Sequence, residues 1–283
     1  MRCFLIAVAV AVTGCTSAPR ETTIEFDGIR SDALYRPGLS EKGDKTPAVV
    51  LIHSLGGWTD GTTHDLAISL NRAGIATLEM RYFKDHTTPI PATALASTLF
   101  GALRYLASRE DILPNKIGIA GYSMGANLAL MAASQKFTQQ WGGGYQYVAH
   151  APIYLPCWLN SQIFQGIRDI KGMGYVHLDR ETFDSINKTS IRIFAAALDD
   201  YDNRDPGECA NFVKYLNHRY EQNITLKTYP DATHGWNMLR SVSFYVPYAC
   251  RGNGCINHMV RNESISNENI KDVTDYFVET LHR

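Results

Sequence analysis

Five residues, Gly121-Tyr122-Ser123-Met124-Gly125, constrain this chain more than any other stretch of it. An apolar run, Lys116 to Gly121 (KIGIAG), precedes the serine, and a run of small and apolar residues, Met124 to Ser134 (MGANLALMAAS), follows it. The first reads as a buried strand and the second as a closely packed helix. Glycine two places before and after the serine permits a strand-to-helix turn so tight that the serine takes strained dihedrals. Such a turn holds a hydroxyl above the strand end with a helix N-terminus behind it, the arrangement of a serine nucleophile. The alternative, a glycine-rich turn without chemistry, fits less well between a buried strand and a small-residue helix.

The rest of the chain repeats the strand–helix alternation, which predicts an α/β fold with a mostly parallel, doubly wound sheet and crossover helices. Thr22 to Tyr35 holds two short strands around Asp27-Gly28, a hairpin signal. Ala48 to His53 (AVVLIH) is a continuous apolar run suited to a strand covered on both faces. Asp65 to Ala73 reads as a helix stopped by Gly74, and Ile75 to Met80 as the next strand. Leu95, Leu99, Leu103 and Leu106 place Pro91 to Arg109 on a helical stripe. A sixth strand is expected over Tyr145 to His150, followed by an insertion, residues 151–188, over the C-terminal edge of the sheet. Strands at Ile191 to Leu198 and Ile224 to Tyr229, a helix at Glu208 to Tyr220 and a last amphipathic helix at Asn269 to Leu281 complete the pattern. Val242 to Asn262 reads as an irregular, cysteine-bearing segment.

A serine nucleophile needs a base and an orienting carboxylate, and behind such an elbow the acid and then the base follow in chain order. His234 sits in Thr233-His234-Gly235-Trp236, after the last predicted strand and the turn Pro230-Asp231, on the sheet edge that carries Ser123. His150, near a predicted strand end, is its main rival among nine histidines, whereas His258 and His282 come too late. Asp199, Asp200, Asp202 and Asp205 cluster after the strand that ends at Leu198. Asp199 is chosen because the first residues beyond a strand lie nearest the edge; Asp200 and Asp202 are alternatives. The unchosen aspartates are otherwise expected in a solvated loop and as a cap for the following helix. The oxyanion would be held by the backbone N–H of Met124 and of Leu55, the latter in the loop His53-Ser54-Leu55-Gly56-Gly57. His53 is expected to fix this loop rather than to move protons. Trp58, Tyr82, Trp158 and Trp236 are candidates for a substrate pocket, Trp236 foremost because it neighbours the base.

Composition narrows the partners. With 283 residues, 45% apolar, 19% charged and a formal net charge of −1, the chain is globular and has no basic excess for nucleic acid. Residues 1–14 read as a signal peptide: Arg2 is followed by an unbroken apolar run, Phe4 to Val12, too short to cross a bilayer. Val12-Thr13-Gly14-Cys15 is similar to a bacterial lipobox, which implies lipid on Cys15, a tether over residues 15–21 and contact with the membrane through that lipid only. Thr16, where a retention aspartate would stand, favours the outer membrane. The alternatives are plain secretion or a cytosolic core strand. A single domain is then expected over residues 22–283. In an oxidising compartment Cys157, Cys209, Cys250 and Cys255 are disulfide candidates with three possible pairings. The turn-forming Arg251 to Gly254 makes Cys250–Cys255 easy to close, which leaves Cys157 with Cys209; four reduced thiols are the alternative outside that compartment. Zinc-ligand spacing is not found.

Taken together, the loop His53 to Gly57, the elbow, Tyr154-Leu155-Pro156-Cys157, Leu198-Asp199-Asp200 with Cys209 downstream, and Tyr229-Pro230-Asp231-Ala232-Thr233-His234-Gly235 resemble the dienelactone-hydrolase-like group of α/β-hydrolases. The resemblance runs from about Ala48 to the C-terminus. It implies the α/β-hydrolase fold, Asp199 as acid and a Cys157–Cys209 pair as in secreted relatives. Ser123 departs from the cysteine nucleophile of dienelactone hydrolases proper, which points to an ester of another kind. Ser54 replaces a common glycine and would narrow the oxyanion loop, and Ala196 stands where a glycine often precedes the acid. The expectation is a serine hydrolase acting on a small-molecule carboxylic ester, with no metal or cofactor. A serine peptidase or acyl-amide hydrolase is the runner-up, and a ligand-binding lipoprotein without turnover the alternative from another class.

Overall fold

The computed structural model describes residues 17–40, 44–58, 63–82 and 92–283. The signal peptide and lipid expectations, residues 1–14 and Cys15, lie outside them. Of the tether expected over 15–21, the described residues from Ser17 on contact the fold. Ser17 donates its N–H to Asn71 Oδ1 at 2.8 Å, and the first strand starts at Arg20, two residues before the expected Thr22.

Eight strands form one sheet in the order β1-β2-β4-β3-β5-β6-β9-β10. β1 (Arg20–Phe26) and β2 (Ile29–Arg36) make the expected hairpin, whose turn residues Asp27 and Gly28 have φ of 54° and 75°. β2 runs antiparallel to β4 (Ala76–Arg81). From β4 across β3 (Thr46–Ile52), β5 (Ile112–Tyr122), β6 (Ala149–Ile153), β9 (Ser190–Ala196) and β10 (Thr225–Tyr229) every pairing is parallel. β3 is buried along its whole length because both faces are covered. Ala48, Val50 and Ile52 join the core under α2 (Ala92–Ala107) and α3 (Met124–Met131). Val49 and Leu51 join the opposite core under α1 (His64–Arg72) and α8 (Glu263–Leu281). This period of two is why an apolar run without alternation is needed there.

The second half departs from expectation in two places. The sixth strand is Ala149–Ile153, so the insertion begins after Ile153 and not at Ala151. Pro152 argues against a central strand, yet pairing with β5 on one side and β9 on the other sets the register. The insertion holds α5 (Cys157–Phe164), reached after α4 (Gln135–Trp141) and β6, and a small hairpin of β7 (Asp169–Ile170) and β8 (Gly174–Tyr175). The segment expected to be irregular is a second hairpin. β11 (Val242–Val246) pairs antiparallel with β12 (Cys255–Met259), joined through the single turn α7 (Ala249–Gly252). In β11 the large apolar residues Phe244 and Tyr245 are adjacent and both exposed, so the segment carries no alternation of apolar and polar residues to mark it as a strand.

Both disulfides form, Cys157–Cys209 between α5 and α6 (Gly207–Tyr220), and Cys250–Cys255 within the second hairpin. Their sequence separations are 52 and 5. Loop-closure entropy then assigns about 4 kcal/mol to the first and about 2 kcal/mol to the second. Replacing Cys157 and Cys209 by alanine should cost about twice as much unfolding free energy as replacing Cys250 and Cys255, read by urea titration. Equal losses would mean that the long loop is already constrained in the unfolded chain.

His150, the rival base, lies at the start of β6, away from the C-terminal edge, and is fully buried. Its Nδ1 donates to the Ala129 carbonyl at 2.8 Å and its Nε2 has no hydrogen-bond partner. Burial pushes its pKa down from 6.5 to about 4. The unfolded chain therefore takes up a proton in that window that the folded chain refuses, and stability is complete above about pH 6.5 and lost as pH falls to about 4. The contribution is about 3 kcal/mol from this residue. A His150→Leu chain should show a flatter denaturation midpoint between these pH values.

Candidate active site

The C-terminal ends of β3 and β5 are neighbours in the sheet, and from β3 the chain leaves toward β4 on one side before returning through α2 to β5 on the other. Such a reversal of winding direction opens a crevice, which is where open α/β sheets place their ligands. Two loops meet there, Ser54–Gly56 after β3 and Ser123 after β5.

Ser123 has φ 55° and ψ −110°, the strained conformation expected of the turn. The flanking glycines are required by contact. A Cβ on Gly121 would lie 2.1 Å from the Gly125 carbonyl oxygen, and one on Gly125 would lie 2.4 Å from that of Ile52. Neither neighbour is a flexible side chain, so any larger residue would push α3 off β5 and β3.

Ser123 Oγ lies 2.7 Å from His234 Nε2, and His234 Nδ1 lies 2.7 Å from Asp199 Oδ2. The second carboxylate oxygen, Oδ1, accepts the Tyr201 N–H at 2.9 Å, so both Asp199 oxygens are held. His234 and Asp199 are each 1% exposed. The loops that carry them are tied together, with the Leu198 N–H donating to the Ala232 carbonyl and the Ala197 N–H to that of Tyr229. The imidazole is gripped edge-on by two rings, Tyr154 at 4.8 Å and Tyr201 at 4.6 Å between centroids. Sequence reasoning found neither ring's role. Tyr154 owes its aim to φ 39° at the end of β6, a conformation with no signature in the residue type.

The alternative acids point elsewhere. Asp200 binds Arg204 Nε at 2.7 Å and the His258 N–H at 2.7 Å. Burial alone would raise its pKa, but these partners outweigh it and hold the carboxyl below its usual range. Asp202 accepts the N–H groups of Cys157 and Trp158 at the start of α5, at 3.1 and 2.8 Å. Burial, then the nearby Asp199, push its pKa well up. Neither belongs to the solvated loop expected for the unchosen aspartates, because each is buried and ties the acid loop to a neighbouring element, Asp202 to α5 and Asp200 to β12. Asp205 is the exposed one, with Oδ1 accepting the Gly207 N–H at the head of α6 and Oδ2 bound by Arg251 of the second hairpin at 2.6 Å.

A cavity of about 280 Å³ opens beside Ser123, with Leu55, Met124 and His234 on its wall. The two expected oxyanion donors thus border the same space as the serine hydroxyl. The Met124 N–H is the first of α3, which no helical carbonyl can reach. Ser54 folds its own loop, its Oγ accepting the Gly56 N–H and its carbonyl the Gly57 N–H. His53 holds that loop as expected: Nδ1 donates to the Ser54 carbonyl at 2.6 Å while Nε2 accepts the Tyr82 N–H at 3.2 Å. The aromatic expectations are corrected. Trp236 is fully buried in the α8-side core, stacked edge-on against Tyr154, and does not line the cavity. Trp58 lies under the Arg81 guanidinium, Tyr82 is buried, and Trp158 packs on the core. The lining comes instead from Met124, Met173, Met238, Phe244 and Met259, brought in largely by the two hairpins that local periodicity did not reveal.

Strand order, elbow and the hydrogen-bonded Ser–His–Asp chain at the switch point define a protein of the α/β-hydrolase fold. Residues 34–153 match the BD-FAE family model. Among solved structures the chain is similar to Est1E from Butyrivibrio proteoclasticus, with a TM-score of 0.63 and 16% identity, over 93% of this chain and 99% of that one. It is also similar to Thermogutta terrifontis esterase 2 phosphoramylated by tabun, with a TM-score of 0.64 and 11% identity over 92% and 94% of the two chains. A dienelactone hydrolase from Anabaena variabilis gives a TM-score of 0.61 and 15% identity over 93% and 99%. No match to a curated protein sequence was found.

Proposed function

We propose that the chain is a serine hydrolase that cleaves a carboxylic ester through an acyl-enzyme. The observation that carries this reading is the continuous hydrogen-bond chain from Asp199 through His234 to a strained Ser123 at the wall of a mostly apolar cavity. His234 Nε2 takes the Ser123 proton as Oγ attacks the ester carbonyl, and the N–H groups of Met124 and Leu55 receive the oxyanion. The alkoxy group leaves with the proton held by His234. Water, deprotonated by His234, then attacks the acyl-serine and frees the acid and Ser123. Asp199 keeps the Nδ1–H tautomer and stabilises the imidazolium. A fluorophosphonate probe should label the folded, oxidised protein at Ser123 and block ester turnover. Turnover that survives complete labelling would refute the assignment, and absence of both labelling and turnover would favour a ligand-binding protein.

We also propose that the protein is exported and lipid-anchored through Cys15 to the outer membrane, facing the periplasm. Two disulfides support the oxidising compartment. Cells fed a labelled fatty acid should transfer it to the wild-type chain and not to a Cys15→Ser chain; equal labelling would remove the anchor.

A further inference from the structure

Asn127 lies on α3 four residues after Ser123, and it lines the cavity. Helical side chains lean toward the helix N-terminus, so a residue at this spacing reaches back toward the elbow. Its carboxamide is not free to turn. Asn160 is 1% exposed, and its Nδ2 lies 2.9 Å from the Pro156 carbonyl oxygen. A carbonyl only accepts, so that atom of Asn160 must be the amide nitrogen. The same nitrogen lies 2.8 Å from Asn127, whose facing atom must therefore be the acceptor Oδ1. Nδ2, with two N–H groups, remains for the cavity side. Much of the surrounding wall is thioether and hydrocarbon, such as Met124, Leu159, Met238 and Met259, and among the described lining residues none is lysine or arginine.

We propose that Asn127 is a substrate-reading residue, oriented by Asn160 as a positioning residue, which selects neutral esters that carry a hydrogen-bond acceptor oxygen, such as an ether, hydroxyl or keto oxygen, within reach of its amide. This deepens the ester-hydrolase reading and rests on it. An amide donor in an apolar wall discriminates because a hydrocarbon in the same place leaves the donor without a partner. A carboxylate gains no cation to offset its desolvation, so the acceptor selected is uncharged.

The test compares p-nitrophenyl esters of straight-chain acids with isosteres in which one methylene is an ether oxygen, placed at successive positions along the chain. In the wild type at least one position should raise kcat/KM about tenfold over its hydrocarbon partner, after correction for hydroxide reactivity. Asn127→Asp keeps the shape and the Asn160 contact but replaces the donor by an acceptor. The ether preference should vanish or invert in it, whatever its absolute rate. Asn160→Leu should lose most of the preference with Asn127 intact, which a merely structural role would not cause. The corresponding methyl ketones, which are not hydrolysed, give the same comparison by calorimetric binding. Identical ether-to-hydrocarbon ratios in wild type and Asn127→Asp, in turnover or in ketone binding, overturn the proposal. A chain that hydrolyses no ester but binds the ether-bearing ketone selectively keeps the Asn127 assignment and refutes the hydrolase reading.

Discussion

Ser123→Ala should lower kcat for a neutral p-nitrophenyl ester by about 10⁶, the loss seen when the nucleophile of a hydrogen-bonded serine triad is removed. The size follows from what disappears. Without Oγ there is no covalent intermediate, and His234, 2.7 Å from that atom, has no hydroxyl to deprotonate. KM should move little, because the cavity wall is built from other residues. The fold should survive, since φ 55° at position 123 is imposed by β5, β6 and α3 around it. The Ser123 N–H donates to the Ile153 carbonyl at 3.0 Å, and alanine keeps that bond. Stopped-flow or long-time assays on protein purified away from host esterases measure the residual rate. A loss under tenfold would mean that the chemistry lies elsewhere.

Asp199→Asn should lower kcat by about 10⁴ while leaving the protein folded. The reason is a proton in the wrong place. Asp199 Oδ2 accepts from His234 Nδ1, which leaves Nε2 with a lone pair toward Ser123. An asparagine amide in that position donates to Nδ1 and moves the ring proton to Nε2, where it blocks removal of the Ser123 proton. Asp202→Asn is the matched control. That carboxylate holds the N–H groups of Cys157 and Trp158 and does not touch His234. It should leave kcat within about tenfold of wild type, because the backbone contacts it alters lie on α5 and not on the imidazole. If the two variants exchanged places, Asp202 and not Asp199 would be the acid.

These contrasts show where sequence reasoning reached and where it stopped. The choice of Asp199 over Asp200 rests on one residue of distance from a strand end and on the family resemblance, and a single step in a turn sends adjacent carboxylates in opposite directions. Asp200 faces Arg204 and the second hairpin, whereas Asp199 faces the imidazole. Trp236 is promising by its place beside the base, yet the chain turns at Gly235, φ 67°, between the two side chains. His234 turns to the cavity and Trp236 to the core under α8.

By themselves, the residues determined whatever depends on local sterics and on a repeating pattern. Gly121 and Gly125 leave room for a strand-to-helix turn in which a Cβ on Gly121 would strike the Gly125 carbonyl, and apolar runs of strand length dictate which segments are covered on both faces. The tertiary structure alone decided which rings clamp His234, which hairpins bring methionine to the cavity, and which amide atom Asn127 presents. Those outcomes depend on contacts between residues far apart in the chain, whose free energies are set by burial and mutual geometry and leave no trace in the composition of either partner.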